Sequence, residues 1–179
     1  NITELKGIFI QMMLVRVYYS ISASHLVGYV TKPDVKKNPK LAKVEGTRVG
    51  KLGIEYAFDK ELQGKFGIKK EEVNAFGRVV NEISRVNGIP GKNITLSISK
   101  DLQDFCSKKL KSNSGSIVVM NIKTGEILSL VSNPTFNSND FVNEMLPGKW
   151  KNIKNDELKP LFHRACKGTY PPGSIFKLI

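Results

Sequence analysis

The stretch SIVVMNIKTGEILSLVSNP, residues 116–134, constrains the fold more than any other part of the chain. Two apolar runs flank a polar turn that closes on Gly125, the pattern of a β-hairpin. Runs this continuously apolar predict strands covered on both faces. The preceding KDLQDFCSKKLK supplies one covering element. It sets Leu102, Phe105, Cys106 and Leu110 on a single helical face, with Ser99 or Asp101 available as N-cap. Upstream again, ITLSIS (residues 94–99) alternates as a strand does. Strand, helix and hairpin, followed by an irregular stretch holding Trp150, describe the opening of an α+β domain.

The best boundary is PGKN, residues 90–93, and it divides the chain into 1–93 and 94–179. At 179 residues there is room for two small domains, each with a core. In the first half, KGIFIQMMLVRVYY (residues 6–19) is rich in β-branched and aromatic residues and predicts a strand. The prolines and lysines of TKPDVKKNPKLAKVEG predict a loop. In GKLGIEYAFDKELQGKFG, the residues Ile54, Ala57, Phe58 and Leu62 recur at helical spacing, and Gly64 stands where a helix would close in the left-handed region. EEVNAFGRVVNEISRV has no helical stripe and several β-branched residues, and it predicts strand. The first domain is therefore read as β-rich.

The net charge of +12 invites a nucleic-acid reading. The lysines are scattered, however, and no basic stripe is interleaved with aromatics for base stacking. A surface facing anionic lipid or an anionic polymer accounts for the charge without nucleic acid. Cys106 and Cys166 show no C-x-x-C pattern, which excludes a cysteine-based zinc site and predicts two buried free thiols. His25 and His163 fall in unrelated segments with no spaced carboxylate beside them, so no metal is expected. No run of residues is long and apolar enough for a membrane span, and the first residues lack a signal-peptide layout. Any anchor is expected to lie outside these residues.

The chain's last stretch combines a stiff Pro171-Pro172-Gly173 turn with Ser174 and, three residues on, Lys177. A serine hydroxyl is a poor nucleophile at neutral pH and needs a neighbouring base. If a helix starts here, residues three apart share a face, with Cβ atoms about 5–6 Å apart. Free N–H groups of the first turn would favour developing negative charge. A lysine serves as base only when neutral, which requires burial or nearby positive charge. By spacing alone, S-x-x-K is common; its flanks make it informative.

Those flanks, HRACKGTYPPGSIFK, resemble the nucleophile segment of penicillin-binding proteins, in which S-x-x-K is paired with S-x-N and K-T-G. SGSIVVMNIKTGEILSLVSNPTF is similar to the hairpin that opens their transpeptidase domain. RVYYSISASHLVGYV and GKLGIEYAFDKELQGKFG are similar to the second and third pedestal motifs of class B members, and EVNAFGRVV leans toward the elongation type. The resemblance implies a pedestal (dimerisation-type) domain over 1–93 and the front of a transpeptidase domain over 94–179. It implies Ser174 as acyl-enzyme nucleophile and Lys177 as general base, with Arg16, Gly28, Gly53, Glu55 and Gly64 structural in the pedestal. Arg16, the only Arg, Lys, Asp or Glu of RVYYSISASHLVGYV, and Glu55, the only one in the glycine-bounded run GIEYAF, are expected to pair. No metal or cofactor is implied.

For the intact protein the resemblance implies D,D-transpeptidation of peptidoglycan stem peptides, acylation by β-lactams, and a single-pass anchor in the bacterial inner membrane with the bulk in the periplasm. Implied partners are the membrane glycan polymerase and scaffold proteins of the elongation machinery, with a homodimer as a further contact. No S-x-N occurs in these residues, and the one K-T-G, at Lys123, Thr124 and Gly125, precedes Ser174 in a hairpin turn and is read as a turn only. These 179 residues are thus expected to be catalytically incompetent alone. A non-catalytic interaction module is the alternative. A serine β-lactamase is a weaker one, since such enzymes lack a pedestal.

Overall fold

The computed structural model describes residues 15–44, 46–142 and 145–178. From Val15 to Ser20 the backbone joins no ladder, although the residues predict strand; the rest of that expected strand, residues 6–14, lies outside the described residues. A side chain takes the place of a neighbouring strand. Tyr18 N–H donates to Asn139 Oδ1 (2.9 Å), and Asn139 Nδ2 donates back to the Tyr18 carbonyl (2.8 Å). One carboxamide completes the donor–acceptor pair that a strand would otherwise supply.

Helix α1 (Ser24–Val27) follows and stops at Gly28. Strand β1 (Val30–Thr31) pairs antiparallel with β2 (Val49–Gly50), and a single turn of helix, α2 (Pro39–Ala42), interrupts the expected loop between them. The expected helix around Ile54 is two short ones, α3 (Gly53–Ala57) and α4 (Asp59–Gln63), broken at Phe58. Its expected apolar face is not the buried one. Ala57 and Phe58 are exposed, while Glu55 is buried, because Glu55 has partners to neutralise it. Gly64 has the expected positive φ (+68°), but its ψ of −150° puts it in an extended, glycine-only region rather than the left-handed helical one.

Strands β3 (Ile68–Val73) and β4 (Val79–Val86) form an antiparallel hairpin that runs from Ile68 opposite Val86 to Val73 opposite Val79, with register shifts at Lys70/Glu71 and Glu72/Val73. Asn74 nucleates its turn, since Oδ1 accepts from both Phe76 N and Arg78 N at 3.0 Å. The strand reading of this segment holds. Every residue in both strands is exposed, however, so within the described residues the hairpin projects without a covering layer.

In the second half, ITLSIS runs extended but only grazes the sheet: Ser99 N donates to Leu128 O and Ser97 Oγ to Ile127 O. Helix α5 (Lys100–Leu110) is capped by Ser99, whose hydroxyl accepts from Leu102 N. Its buried positions are Gln103 and Cys106, with Phe105 turned to solvent. Strands β5 (Gly115–Met120) and β6 (Ile127–Asn133) form the expected hairpin around Gly125 (φ +75°). Only β6 is covered as expected. β5 alternates, with Ser116, Val118 and Met120 exposed, because α5 and α8 pack on one side only.

Three helices complete the description: α6 (Asn139–Val142), α7 (Pro147–Asn155) and α8 (Arg164–Lys167). Trp150, expected in irregular chain, lies in α7, which Pro147 starts from a position where its missing N–H costs nothing. The two halves meet over an aromatic cluster. Phe136 is edge-on to His25, Tyr29 and Phe141; Tyr29 stacks on Phe141 at 4.0 Å, and Trp150 meets Phe141 edge-on. Edge-to-face and stacked rings at such distances are the preferred arrangements of aromatic pairs.

Candidate functional site

Ser174 and Lys177 lie on one 3-10 turn, Gly173–Leu178, rather than on the α-helix expected from sequence. The tighter winding suits their spacing, because side chains three apart in a 3-10 helix eclipse one another. Gly173 enters the turn at φ +57°, a conformation costly for residues with a Cβ. Both side chains are exposed, and among the described residues no hydrogen bond joins Ser174 Oγ to Lys177 Nζ. The turn therefore places the two groups on one side and leaves both open to solvent.

The start of the segment that leads into the turn is firmly held. Arg164, at the start of α8, donates its backbone N–H to Ser132 Oγ (2.8 Å), and that hydroxyl donates to Phe162 O (3.3 Å). The Arg164 guanidinium donates to the carbonyls of Leu158, Lys159 and Phe162. Buried Ser132 on β6 thus ties the segment leading to Ser174 to the sheet. Gly168 closes α8 where any Cβ would stand 2.6 Å from the Arg164 carbonyl oxygen, a backbone approach that favours glycine. Cys106 is buried, but Cys166 is exposed on α8, which corrects the expectation of two buried thiols; both are free.

In the first module, Arg16 and Glu55 form the expected pair, and it is bidentate. Nε lies 2.9 Å from Oε1 and the NH2 nitrogen 3.2 Å from Oε2. The Tyr18 hydroxyl donates to the same carboxylate at 3.1 Å. Burial, reinforced by the Glu55 charge, pushes the Tyr18 phenol far above its ordinary pKa, so it remains a donor. Gly28 and Gly53 mark a backbone crossing: a Cβ on Gly28 would sit 1.8 Å from Leu52 O, and one on Gly53 would sit 2.3 Å from Leu26 O. Gly64 makes the corresponding approach to Ile89 O. Arg16 and Glu55 also line an open cleft of about 860 Å³ that extends past Arg48 to Lys92.

Lys123, Thr124 and Gly125 sit exposed at the β5–β6 turn. Lys123 N–H donates to Asn121 Oδ1, and the Thr124 hydroxyl donates to Glu126. These are contacts within the turn itself. Among the described residues no cluster of three or more His, Cys, Asp or Glu could hold a metal, and no helix is long and apolar enough to cross a membrane.

Sequence reasoning missed the residues that join the two halves. Gln103, wholly buried, uses its full hydrogen-bonding capacity. Nε2 donates to Ser22 O (3.0 Å) and Leu130 O (2.9 Å), while Oε1 accepts from Ser129 Oγ (3.0 Å) and Leu130 N (2.8 Å). Asp104 accepts from Ser22 Oγ at 2.6 Å, and Arg48 donates to Val142 O at 3.0 Å. His25 and His163, distant in sequence, stack with ring centroids 5.2 Å apart. A buried glutamine in an amphipathic helix gives one faint signal, a polar residue on the face that otherwise reads apolar. The histidine pair gives none.

Comparison with known proteins agrees with this architecture. Residues 1–96 match the family model described as the penicillin-binding protein dimerisation domain, and residues 115–179 match the penicillin-binding protein transpeptidase domain. The peptidoglycan D,D-transpeptidase MrdA of Haemophilus influenzae is 34% identical over 166 residues, covering 89% of this chain and 26% of that protein. MrdA of Escherichia coli K12 is 35% identical with the same coverage. The chain thus spans about a quarter of the length of the curated relatives it matches. Among solved structures, the complex between PBP2 and MreC from Helicobacter pylori superposes at a TM-score of 0.82, with 34% identity, over 99% of this chain and 34% of that one. PBP2 of Pseudomonas aeruginosa gives a TM-score of 0.73 at 32% identity, over 91% of this chain and 33% of that one.

Proposed function

We propose, given that the chain belongs to the penicillin-binding protein family, that it is part of an elongation-type peptidoglycan D,D-transpeptidase. Ser174 attacks the carbonyl of the penultimate D-alanine of a stem peptide, and the terminal D-alanine leaves. An amine from a neighbouring strand then resolves the acyl-enzyme into a cross-link. Lys177 takes the serine proton, and the Ser174 backbone N–H supplies part of an oxyanion hole. β-Lactams acylate the same serine. The observation that carries this reading is the 3-10 turn after Pro-Pro-Gly, which puts Ser174 and Lys177 on one side within the segment matched to the transpeptidase domain.

The division of labour follows the module boundary at residue 93. The first module is a pedestal held by Arg16, Glu55 and the glycine crossings at Gly28, Gly53 and Gly64; the second, from 94, carries the catalytic segment. The intact protein is placed at the bacterial inner membrane by a single-pass anchor, with its bulk in the periplasm. Its partners are a membrane glycan polymerase and an elongation scaffold of the kind named with the Helicobacter pylori neighbour, MreC. Self-association through the pedestal is a further contact. One observation favours the second reading, a non-catalytic interaction role for these residues alone. The β3–β4 hairpin is exposed throughout, with Phe76 at its tip 88% accessible.

Both readings are tested with a fluorescent penicillin on the full-length protein and on these residues side by side. Full-length protein is expected to label, and Ser174→Ala to abolish labelling. The 179-residue chain is expected not to label, because its Lys177 is exposed. Loss of even one oxyanion donor costs about 10²–10³ in rate. Serine-dependent labelling of the short chain at the full-length rate would overturn the account of its incompetence. Unchanged labelling of full-length Ser174→Ala would overturn the assignment of the nucleophile.

A further inference from the structure

His25 and His163 are the two histidines of the chain, and the catalytic reading uses neither. His25 lies on α1 in the pedestal and is 2% exposed; His163 is the residue from which α8 starts, in the segment that leads to Ser174. Their rings are nearly parallel, at 18°, with centroids 5.2 Å apart. On its other side, His25 meets the Phe136 ring edge-on at 5.0 Å. His25 Nε2 faces the Pro134 carbonyl at 3.4 Å; a carbonyl only accepts, so the His25 proton belongs on Nε2. That leaves His25 Nδ1 as a bare lone pair. Nδ1 of His25 and Nε2 of His163 are both buried without a partner.

Such an arrangement is acceptable only while both imidazoles are neutral. A proton added at His25 Nδ1 creates a buried N–H⁺ that no hydrogen bond satisfies in this arrangement; the Pro134 and Pro160 carbonyls favour the charged ring, but burial outweighs them. The charges on the elements packed around the pair do not help. The α1 residues (Ser24–Val27), β6 and the chain from Pro134 to Phe136 contribute no other titratable group. Helix α3, which packs on α1, contributes exposed Tyr56 and Glu55, the latter already held by Arg16 and Tyr18, and α8 contributes Arg164, Lys167 and the Cys166 thiol. Arg164 acts unfavourably on a charged His25, and Lys167 does so on a charged His163. Burial is the larger cause for each. It draws His25 down to about 4 and lowers His163 as well.

The path from this pair to the candidate nucleophile is one continuous segment, α8 followed by the Pro171-Pro172-Gly173 approach. The His163 carbonyl accepts from Lys167 N (2.8 Å) and Cys166 N (3.3 Å), which fixes α8 to it. Gly168 then folds back against Tyr170, and two prolines lead into the Ser174 turn. A displacement at His163 has little slack in which to dissipate.

We propose that the stacked imidazoles of His25 and His163 are a releasable joint between the pedestal and the Ser174 segment, closed while both rings are neutral and opened by a proton, with His163 a positioning residue for Ser174. The role at Ser174 rests on the transpeptidase reading above; the joint itself does not. Its first test is an NMR titration of the imidazole signals of the chain, which has two to assign. Both midpoints are expected below the ordinary value of about 6.5. In His163→Ala the His25 midpoint is expected to move up toward that value as its cover is lost. Two rings titrating independently at ordinary midpoints would overturn the joint.

The second test measures acylation of full-length protein by a fluorescent penicillin between about pH 3.5 and 8, a range that takes in the His25 midpoint near 4 and the ordinary histidine value. The rate is expected to fall on the acid side with the ring midpoints. His163→Ala is expected to be about tenfold slower, the scale of a small misplacement of a reacting group. His163→Phe keeps a ring to stack but cannot take the proton, so it should recover most of the rate lost in His163→Ala and lose the acid limb that His163 contributes. If the Phe and Ala variants behave alike, or the acid limb is unchanged in His163→Phe, the positioning role is wrong. Persistent labelling of Ser174→Ala would remove the nucleophile assignment and the positioning role together, and the ring titrations would still decide the joint.

Discussion

Replacing Gln103 by alanine isolates what the junction between the two modules is worth. The side chain makes four hydrogen bonds at 2.8–3.0 Å, all in the protein interior, and it is 0% exposed. At a net contribution of about 1 kcal/mol each, the bonds account for ~4 kcal/mol. Freeing the ordered glutamine returns about 1.5 kcal/mol of side-chain entropy. The alanine, however, leaves the Leu130 N–H and two carbonyls without partners, at about 1–3 kcal/mol for a buried orphan. With three such orphans at the low end of that range, the expected net loss is about 5 kcal/mol or more. Urea denaturation followed by Trp150 fluorescence reads it, since that ring belongs to the same aromatic cluster. Gln103→Met keeps the volume and removes the polar atoms, so a similar loss there assigns the effect to hydrogen bonds rather than to a cavity. A drop in the denaturant slope would show the modules unfolding separately. A loss below about 1 kcal/mol in Gln103→Ala, where typical surface substitutions fall, would refute the reasoning.

Three further outcomes follow from the same structure. Glu55→Gln should cost about 2–3 kcal/mol by chemical denaturation: breaking a buried pair typically costs about 3–5, and the partly exposed Arg16 guanidinium reduces that; Tyr18→Phe should lose about 1 kcal/mol through the same carboxylate. His25 has a folded-state pKa near 4, below the unfolded 6.5, so its contribution is present in full above about pH 6.5 and is lost as pH falls toward 4. The total is up to about 3 kcal/mol, read from urea midpoints at pH 7 and 4.5, and largely absent in a His25→Asn variant that still folds. Cys166 should react with a thiol reagent in the native chain while Cys106 reacts only on unfolding, with two thiols counted without reductant; protection of Cys166 would contradict its exposure.

Much of the local structure was legible in the residues themselves. The hairpins β3–β4 and β5–β6, helix α5 with its Ser99 cap and the turn at Gly125 arise from contacts a few residues apart, where periodicity and turn chemistry act directly. That Ser174 and Lys177 share one turn was readable for the same reason, because their spacing is local. The bidentate Arg16–Glu55 pair was inferable because a lone charge in an apolar motif needs a counter-charge. Tertiary structure alone decided the rest. Asn139 standing in for a strand beside Tyr18, Gln103 joining Ser22 to Leu130, and the stacking of His25 on His163 are single polar or aromatic contacts between remote segments. Such contacts leave no period in the sequence, because one residue at one position satisfies them. They form only after apolar burial has brought the two modules together, and then the low dielectric of the interior makes each of them count.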